Sequence, residues 1–404
     1  MCEERAEIIF PREKEYLLKD EFFWKINLLV RLRGHEGRKK LIWFVVISLK
    51  LMVAFSIMIF AYTTKSEPDK LAACVATFPG IFMAVYKLFY MYFYPERVKY
   101  LLDTINQEFW DTGVAGPKVK NRIATRFFII NLMLASQIII SFICVYCLNM
   151  YPLVETPNGV KRLPNPLWTP FDTNSSPFHE VLYVFLVWNQ VLTILGNGFF
   201  DFTYDCAAQH LCAQLLLLQE QLKNITIGIM PHASDLEKFN SEYFQREVME
   251  RLKICVKHHS KLLKYGKNLD KFSSNVLIPQ LIMSYLAMVV NGYILTANKI
   301  ALLQTTEIYS FTLTIFTQFV VFAVQAADLK ETSISVVEAV TLSEWYLFKA
   351  PIKRALVFLM LNAEKGVAIT VGGMIEVDNP LIISVVHKAF SAITLLRALI
   401  AEEQ

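Results

Sequence analysis

Cys144 and Cys147 stand at Cys-x-x-Cys spacing, and His258-His259 offers two adjacent imidazoles. Both groupings have the residue types of a metal site. Neither is completed, because zinc needs four ligands and no second cysteine pair follows. No carboxylate lies at ligand spacing on the face of His258. The cysteines therefore read as small packing residues, the usual fate of free Cys, and the histidines as solvated or capping groups. His-Glu-x-x-His, the P-loop pattern and Gly-x-Gly-x-x-Gly are all missing from the chain, so no zinc peptidase, P-loop or dinucleotide chemistry is expected. The expectation is a protein that is not an enzyme and carries no cofactor or metal.

The remaining suggestive residues suit binding. Phe78 and Phe82 lie four apart, as do Tyr183, Val187 and Val191 in succession; Ile139, Phe142 and Tyr146 share one helical side, and Tyr309 and Phe316 mark a later segment. An apolar pocket with a few hydroxyls suits a small volatile ligand. Lys50 and Lys87 sit inside apolar runs, where a charge is costly and often functional. Lys87 is expected to snorkel beside Tyr90, Tyr92 and Tyr94. Lys50 has no evident partner. Asn174-Ser175-Ser176 is a glycosylation acceptor in a proline-rich loop. Asn224-Ile225-Thr226 also matches, on the opposite side of the membrane under the topology below.

These residues lie on segments that read as membrane spans. The chain has 404 residues, 54% of them hydrophobic and 19% charged, and its mean hydropathy is +0.39. That composition belongs to an all-α membrane protein in contact with lipid and excludes disorder or a small disulfide scaffold. The net charge of +4 suggests no nucleic-acid partner. A span needs ~20 mostly apolar residues. Segments 41–62, 71–94, 127–151, 178–204, 276–296 and 307–328 qualify. Residues 383–400 are weaker, because His387, Lys388 and Arg397 fall in or beside them; they form either a water-facing helix or no span. No cleavable leader is expected, since the first 40 residues are polar and mixed in charge. Lys and Arg number ten in 1–40, six in 95–126 and five in 329–382, against five in all loops of the other side. Basic residues mark cytoplasmic loops. Seven transmembrane helices are expected, with the N-terminus inside and the C-terminus outside. That is the reverse of a G-protein-coupled receptor. The halves show no internal symmetry of the transporter kind.

The long segment 205–275 is not low-complexity. Leu211, Leu215, Leu218 and Leu222 recur at helical spacing, and Val248, Leu252, Cys255, Val256, Leu262 and Leu263 do likewise. Amphipathic helices should extend the fourth and fifth spans into the cytosol, and Pro351 should open another helix over 352–362. The expected organisation is a cytoplasmic segment 1–40, spans one to six over 41–328, anchor helices over 329–382, and a seventh helix with a short tail over 383–404.

The C-terminal third resembles the insect odorant receptors. The matching residues are Ser335-Val336-Val337-Glu338-Ala339, Glu344-Trp345-Tyr346, Pro351-Ile352-Lys353-Arg354-Ala355-Leu356, Gly372-Gly373-Met374 and Phe390-Ser391-Ala392-Ile393-Thr394-Leu395-Leu396. Phe390 replaces the usual Tyr. His210-Leu211-Cys212-Ala213-Gln214-Leu215 is similar to the family's segment below its fourth span. The closing motif of gustatory receptors is missing, and 205–275 lacks the large insert of the family's coreceptor. The resemblance implies an odour-specific subunit of a ligand-gated cation channel in the plasma membrane of olfactory sensory neurons. It implies a heterotetramer with the coreceptor, cytoplasmic helices where subunits meet, a pore lined by the seventh spans, and an odorant in the outer half of the second to sixth. On that seventh helix Lys388, Ser391, Leu395 and Leu399 share a face, and facing leucines would form an apolar gate. Arg397 falls on another face. The alternative is that Leu395 and Leu399 pack on the fifth and sixth spans.

Overall fold

Residues 37–154, 161–297 and 302–402 are described by the computed structural model. In chain order they form α1 (Gly37–Thr63), α2 (Pro68–Phe93), α3 (Pro95–Glu108), α4 (Pro117–Val154), α5 (Phe178–Lys223), α6 (Asp235–Asn240) and α7 (Glu242–Ala297). There follow α8 (Leu302–Ile334), α9 (Val336–Thr341), α10 (Ala350–Glu364), the strands β1 (Thr370–Val371) and β2 (Ile375–Glu376), and α11 (Asn379–Glu402). Six of these helices, α1, α4, α5, α7, α8 and α11, are long and apolar enough to cross a membrane. The remaining expected span, 71–94, falls on α2, 26 residues long and packed against α1, α5 and α7. Each expected span falls within one of the seven to within a residue.

Helix length divides the molecule into two layers. At 1.5 Å per residue, the 46 residues of α5 and 56 of α7 reach about 70 and 84 Å, against ~30 Å of hydrocarbon. Roughly half of each must project beyond the bilayer. The projecting halves pack with α3, α9 and α10 into a second core, in which Leu211, Leu215, Leu218 and Leu222 meet Phe244, Val248, Leu252 and Leu262. Two expectations change here. The projecting half of α5 is buried on every face from Thr203 to Gln219, so it is the central rod of this layer and not an amphipathic surface helix. On α7, Val256 faces outward, 39% exposed.

Side-chain amides on α5 and α7 are matched to backbone that has lost its helical partners. Gln214 accepts the Trp110 N–H at 2.8 Å and donates to the Trp110 carbonyl at 2.8 Å. Gln245 makes the same double contact with Leu347 O and Lys349 N–H, both at 2.9 Å. Each amide replaces a strand edge and fixes a connecting segment without leaving a buried peptide group unmet.

In α7, Pro279 removes one helical N–H, which frees the carbonyl of Asn275. Tyr86 of α2 donates its hydroxyl to that carbonyl at 3.4 Å. Arg97 and Tyr90 both donate to Lys271 O one turn earlier, at 2.7 and 3.3 Å. Between β1 and β2, Gly372 and Gly373 adopt φ of +62° and +74°, left-handed conformations that glycine takes without strain.

His258 and His259 are buried, not solvated. The His258 ring stacks on Trp110 with centroids 3.7 Å apart, and its Nε2 lies 3.1 Å from Gln214 Oε1. Burial pushes its pKa down to about 3, assisted by the charges of Lys261 and His259, and burial takes His259 to about 4. The unfolded chain therefore takes up protons below about 6.5 that the fold refuses. Stability contributed by these rings is complete above that pH and is lost as pH falls towards 3. The melting temperature of the purified protein should drop between pH 7 and 4, and His258→Gln should make that acid limb shallower. An unchanged limb would mean that other groups carry it.

Candidate ligand-binding site

The membrane-spanning layer is organised by a polar column on α5. Asn189, Thr193, Asn197, Asp201 and Asp205 recur every four residues and so lie along one side of the helix. Lys50 of α1 is fully buried and donates to Asn189 O, Asn189 Oδ1 and Thr193 Oγ1 at 2.6, 3.1 and 2.5 Å. Three acceptors match the three protons of an ammonium. Two turns further along, Lys87 of α2 meets Asp201 Oδ1 at 2.6 Å, and Gln318 of α8 donates to Asp201 Oδ2 at 2.5 Å. Gln325 donates to Asp205 Oδ1 at 2.5 Å. Lys87 thus does not snorkel. Its side chain has 0% exposure, and it holds a partner 114 residues away. Sequence alone could have flagged the four-residue period on α5; the pairing across helices has no local signal.

A cavity of about 130 Å³ opens beside this column. Its walls come from α2 (Thr77, Gly80, Ile81), α4 (Gln137, Ile138, Ser141, Cys144, Val145, Leu148) and α8 (Phe311, Thr314, Ile315, Gln318). The column's own helix adds Gln190, Thr193, Ile194, Asn197 and Gly198, and Asn165 reaches in from the loop before α5. Asn165 is held there because its Oδ1 accepts from Gln190 Nε2 at 2.6 Å, and Gln190 Oε1 accepts from Asn149 at 2.7 Å. Trp168 and Ser56 exchange backbone and side-chain hydrogen bonds, tying the same loop across the end of α1. A dry cavity of ~150 Å³ is large enough to take benzene, so this one has the size for a small volatile molecule.

The helices around the cavity are among those expected, but none of the ten residues singled out from sequence lines it. Ile139, Phe142 and Tyr146 face away from the bundle, the last 63% exposed, and Tyr309 is 59% exposed. Phe78 packs towards α1 against the Val53–Ile57 cluster. Phe82 stacks between Phe78 and Tyr86. Tyr183 donates its hydroxyl to Asn149 O. Val187 and Val191 are half-buried on α5, and Phe316 packs among α7, α8 and α11. The physical reason is that lipid is as apolar as a side chain, so hydrophobicity does not tell an inward face from an outward one. The cavity is marked instead by small and polar residues.

On α11, Val385 and Ala389 pack against Met288 and Phe319. Lys388, Ser391 and Leu395 point away from that contact, Leu395 being 62% exposed. Leu399 continues the helix; its side chain lies outside the described residues.

The family model "7tm Odorant receptor" matches residues 71–390. The chain belongs to this seven-transmembrane odorant receptor family. Among curated members, Odorant receptor 82a of Drosophila melanogaster is 25% identical over 59% of this chain and 58% of its own length. Odorant receptor 10 of Aedes albopictus is 24% identical over 65% and 66% respectively. The chain thus aligns with roughly three fifths to two thirds of these relatives. The structure of olfactory receptor OR5 from Machilis hrabei superposes with a TM-score of 0.78 at 16% identity, covering 93% of this chain and 97% of that one. The same receptor in complex with eugenol gives 0.75 over 94% and 98%. The column and cavity described above are thus set, in this chain, within the odorant receptor fold.

Breaking one side of a buried pair leaves a charge stranded, which costs ~3–5 kcal/mol, whereas replacing both partners is often tolerated. Lys87→Met alone or Asp201→Leu alone should sharply lower the receptor's melting temperature and surface expression. Lys87→Met with Asp201→Leu should recover much of the loss. Additive losses in the double variant would show that the two side chains do not act as a pair.

Proposed function

We propose that this odorant receptor is the odorant-binding subunit of a ligand-gated, non-selective cation channel. It assembles with the family's coreceptor as a heterotetramer in the plasma membrane of olfactory sensory neurons. The observation that carries the reading is the apolar cavity of about 130 Å³, walled by four helices and furnished with a few convergent polar groups. A ligand there acts only if it binds one channel state better than the other. Helix α8 offers the route, with Phe311, Thr314 and Gln318 on the cavity and Phe316 and Phe319 against the packed side of α11. The opposite side of α11, with Lys388, Ser391 and Leu395, is free to face copies of itself across a pore; Leu399 would extend that apolar ring. Phe78, Phe82, Tyr146 and the other aromatics of the outer halves then act around the cavity, not in it. The residues of 329–382 serve as anchor helices between subunits.

Recording from cells that express the receptor with and without the coreceptor, against a broad panel of volatile alcohols, esters, terpenes and aromatics, tests this. Odorant-evoked cation current is expected in the pair, and Leu395→Ser should raise resting current or alter selectivity. Absence of any evoked current from well-expressed pairs would sink the reading. The N-terminus is proposed to be cytosolic, with Asn174 outside and glycosylated; Asn174 is exposed on its loop. Glycosidase should shift the mass of the expressed protein, and Asn174→Gln should abolish the shift. A shift that depends on Asn224 would reverse the topology.

A further inference from the structure

Three glycines of α2 and α5 lie at or beside the cavity, and they differ in what fills the place of a side chain. A Cβ on Gly80 would meet Cζ of Phe311 at 3.2 Å, and one on Gly196 would meet Cδ1 of Leu88 at 3.0 Å. At both positions a neighbouring side chain already lies against the bare backbone, the close approach that small residues permit between membrane helices. Gly198 is different. Beyond its own turn of helix, a Cβ there would meet no atom within 4 Å. Yet the residue lines the cavity, as does Ile194 one turn earlier. It sits inside α5, in helical backbone. Neither a packed neighbour nor a left-handed turn therefore calls for glycine, which is a poor helix former. What its missing side chain leaves is room.

We propose that Gly198 sets the size limit of the ligand. The space a side chain would occupy belongs to the cavity, and the far end of the longest accepted molecules lies over this bare stretch of α5. The proposal rests on reading the cavity as the odorant site. In a cavity of about 130 Å³ one carbon more or less is felt, because packed walls yield little. A hydrocarbon side chain at 198 removes space and adds no polar group. It should exclude long ligands by overlap and leave short ones in closer contact with the wall.

Primary alcohols and their acetates, from propyl to decyl, test this. Each ligand is compared with itself on the unsubstituted receptor, so that partition into lipid cancels. Two readouts are taken: the activating concentration in receptor–coreceptor cells, and the ligand-induced rise in melting temperature of the purified receptor, which needs no channel activity. Gly198→Ala should shorten the best chain by about one carbon, and Gly198→Val by more. Ligands past the new limit should lose roughly ten-fold or more in potency, the value of a methylene in a fitted pocket, while shorter ones hold or improve. Alanine is the better helix former and meets nothing at this position, so Gly198→Ala serves even if Gly198→Val folds poorly. Thr314→Ile narrows the same cavity from α8. A chain-length profile unmoved by Gly198→Ala and by any folded Gly198→Val, or lowered equally at every length, overturns the proposal. If Thr314→Ile nevertheless shifts the profile, the cavity stays the odorant site and only the role of Gly198 falls. If Thr314→Ile changes nothing either, or if no member of either series stabilises the receptor, both fall. A shortened profile in melting temperature alone, with activation unmoved, upholds Gly198 as the size limit of the cavity and strikes instead at the cavity as the activating site.

Discussion

A charge inside a bilayer has no water to turn to, and this chain puts two lysines there. Everything in the membrane-spanning layer follows from how they are met. The side of α5 that carries Asn189, Thr193, Asn197, Asp201 and Asp205 must face Lys50, Lys87, Gln318 and Gln325, because in hydrocarbon each of these groups would otherwise remain bare. Van der Waals packing between apolar helices leaves rotation about the helix axis poorly specified. The column specifies it. It ties α1, α2 and α8 to α5 at stated heights, and the cavity is the space those tethered helices do not close.

The spans were legible because bilayer thickness dictates their length, and the extensions of α5 and α7 were legible in the helical spacing of Leu211, Leu215, Leu218 and Leu222 and of Val248, Leu252, Cys255 and Leu262. Pro351 marked the start of α10, and the glycines at 372 and 373 marked the turn of the hairpin. The site itself was harder to read. Aromatic residues such as Tyr146 and Tyr309 look like a pocket in one dimension, yet they face outward. Gly80, Ser141, Thr314 and Gly198, which do line the cavity, look like nothing in particular. The column was written in the sequence at a regular period, inside a segment that otherwise reads as apolar. Its partners lie 114 to 143 residues away, and only the folded chain brings them together. The histidines failed for a related reason: a polar pair on a lysine-rich helix reads as surface until Trp110 is found to cover it.

Burial is distributed unevenly between the two layers, and so is specificity. In the projecting layer, apolar packing is dense and side-chain amides stand in for missing backbone partners, as at Gln214 and Gln245. Such a layer tolerates little rearrangement, since a shifted amide strands a buried peptide group. The membrane-spanning layer is looser, with α4 touching the bundle along one side only. Rearrangement there breaks fewer buried bonds than in the projecting layer.

Pro279 lies between these layers, and its missing rung has a mechanical meaning. A continuous helix as long as α7 would behave as a rod, in which tilt at one end is transmitted undiminished to the other. A proline lowers the bending stiffness at one place. Here the loosened carbonyl of Asn275 is taken by a hydroxyl from a different helix, through a long and weak bond at 3.4 Å. Tyr86 therefore works as a splint, tying the joint in α7 to α2, and because it stacks on Phe82 the aromatic ladder of α2 is continuous with that tie.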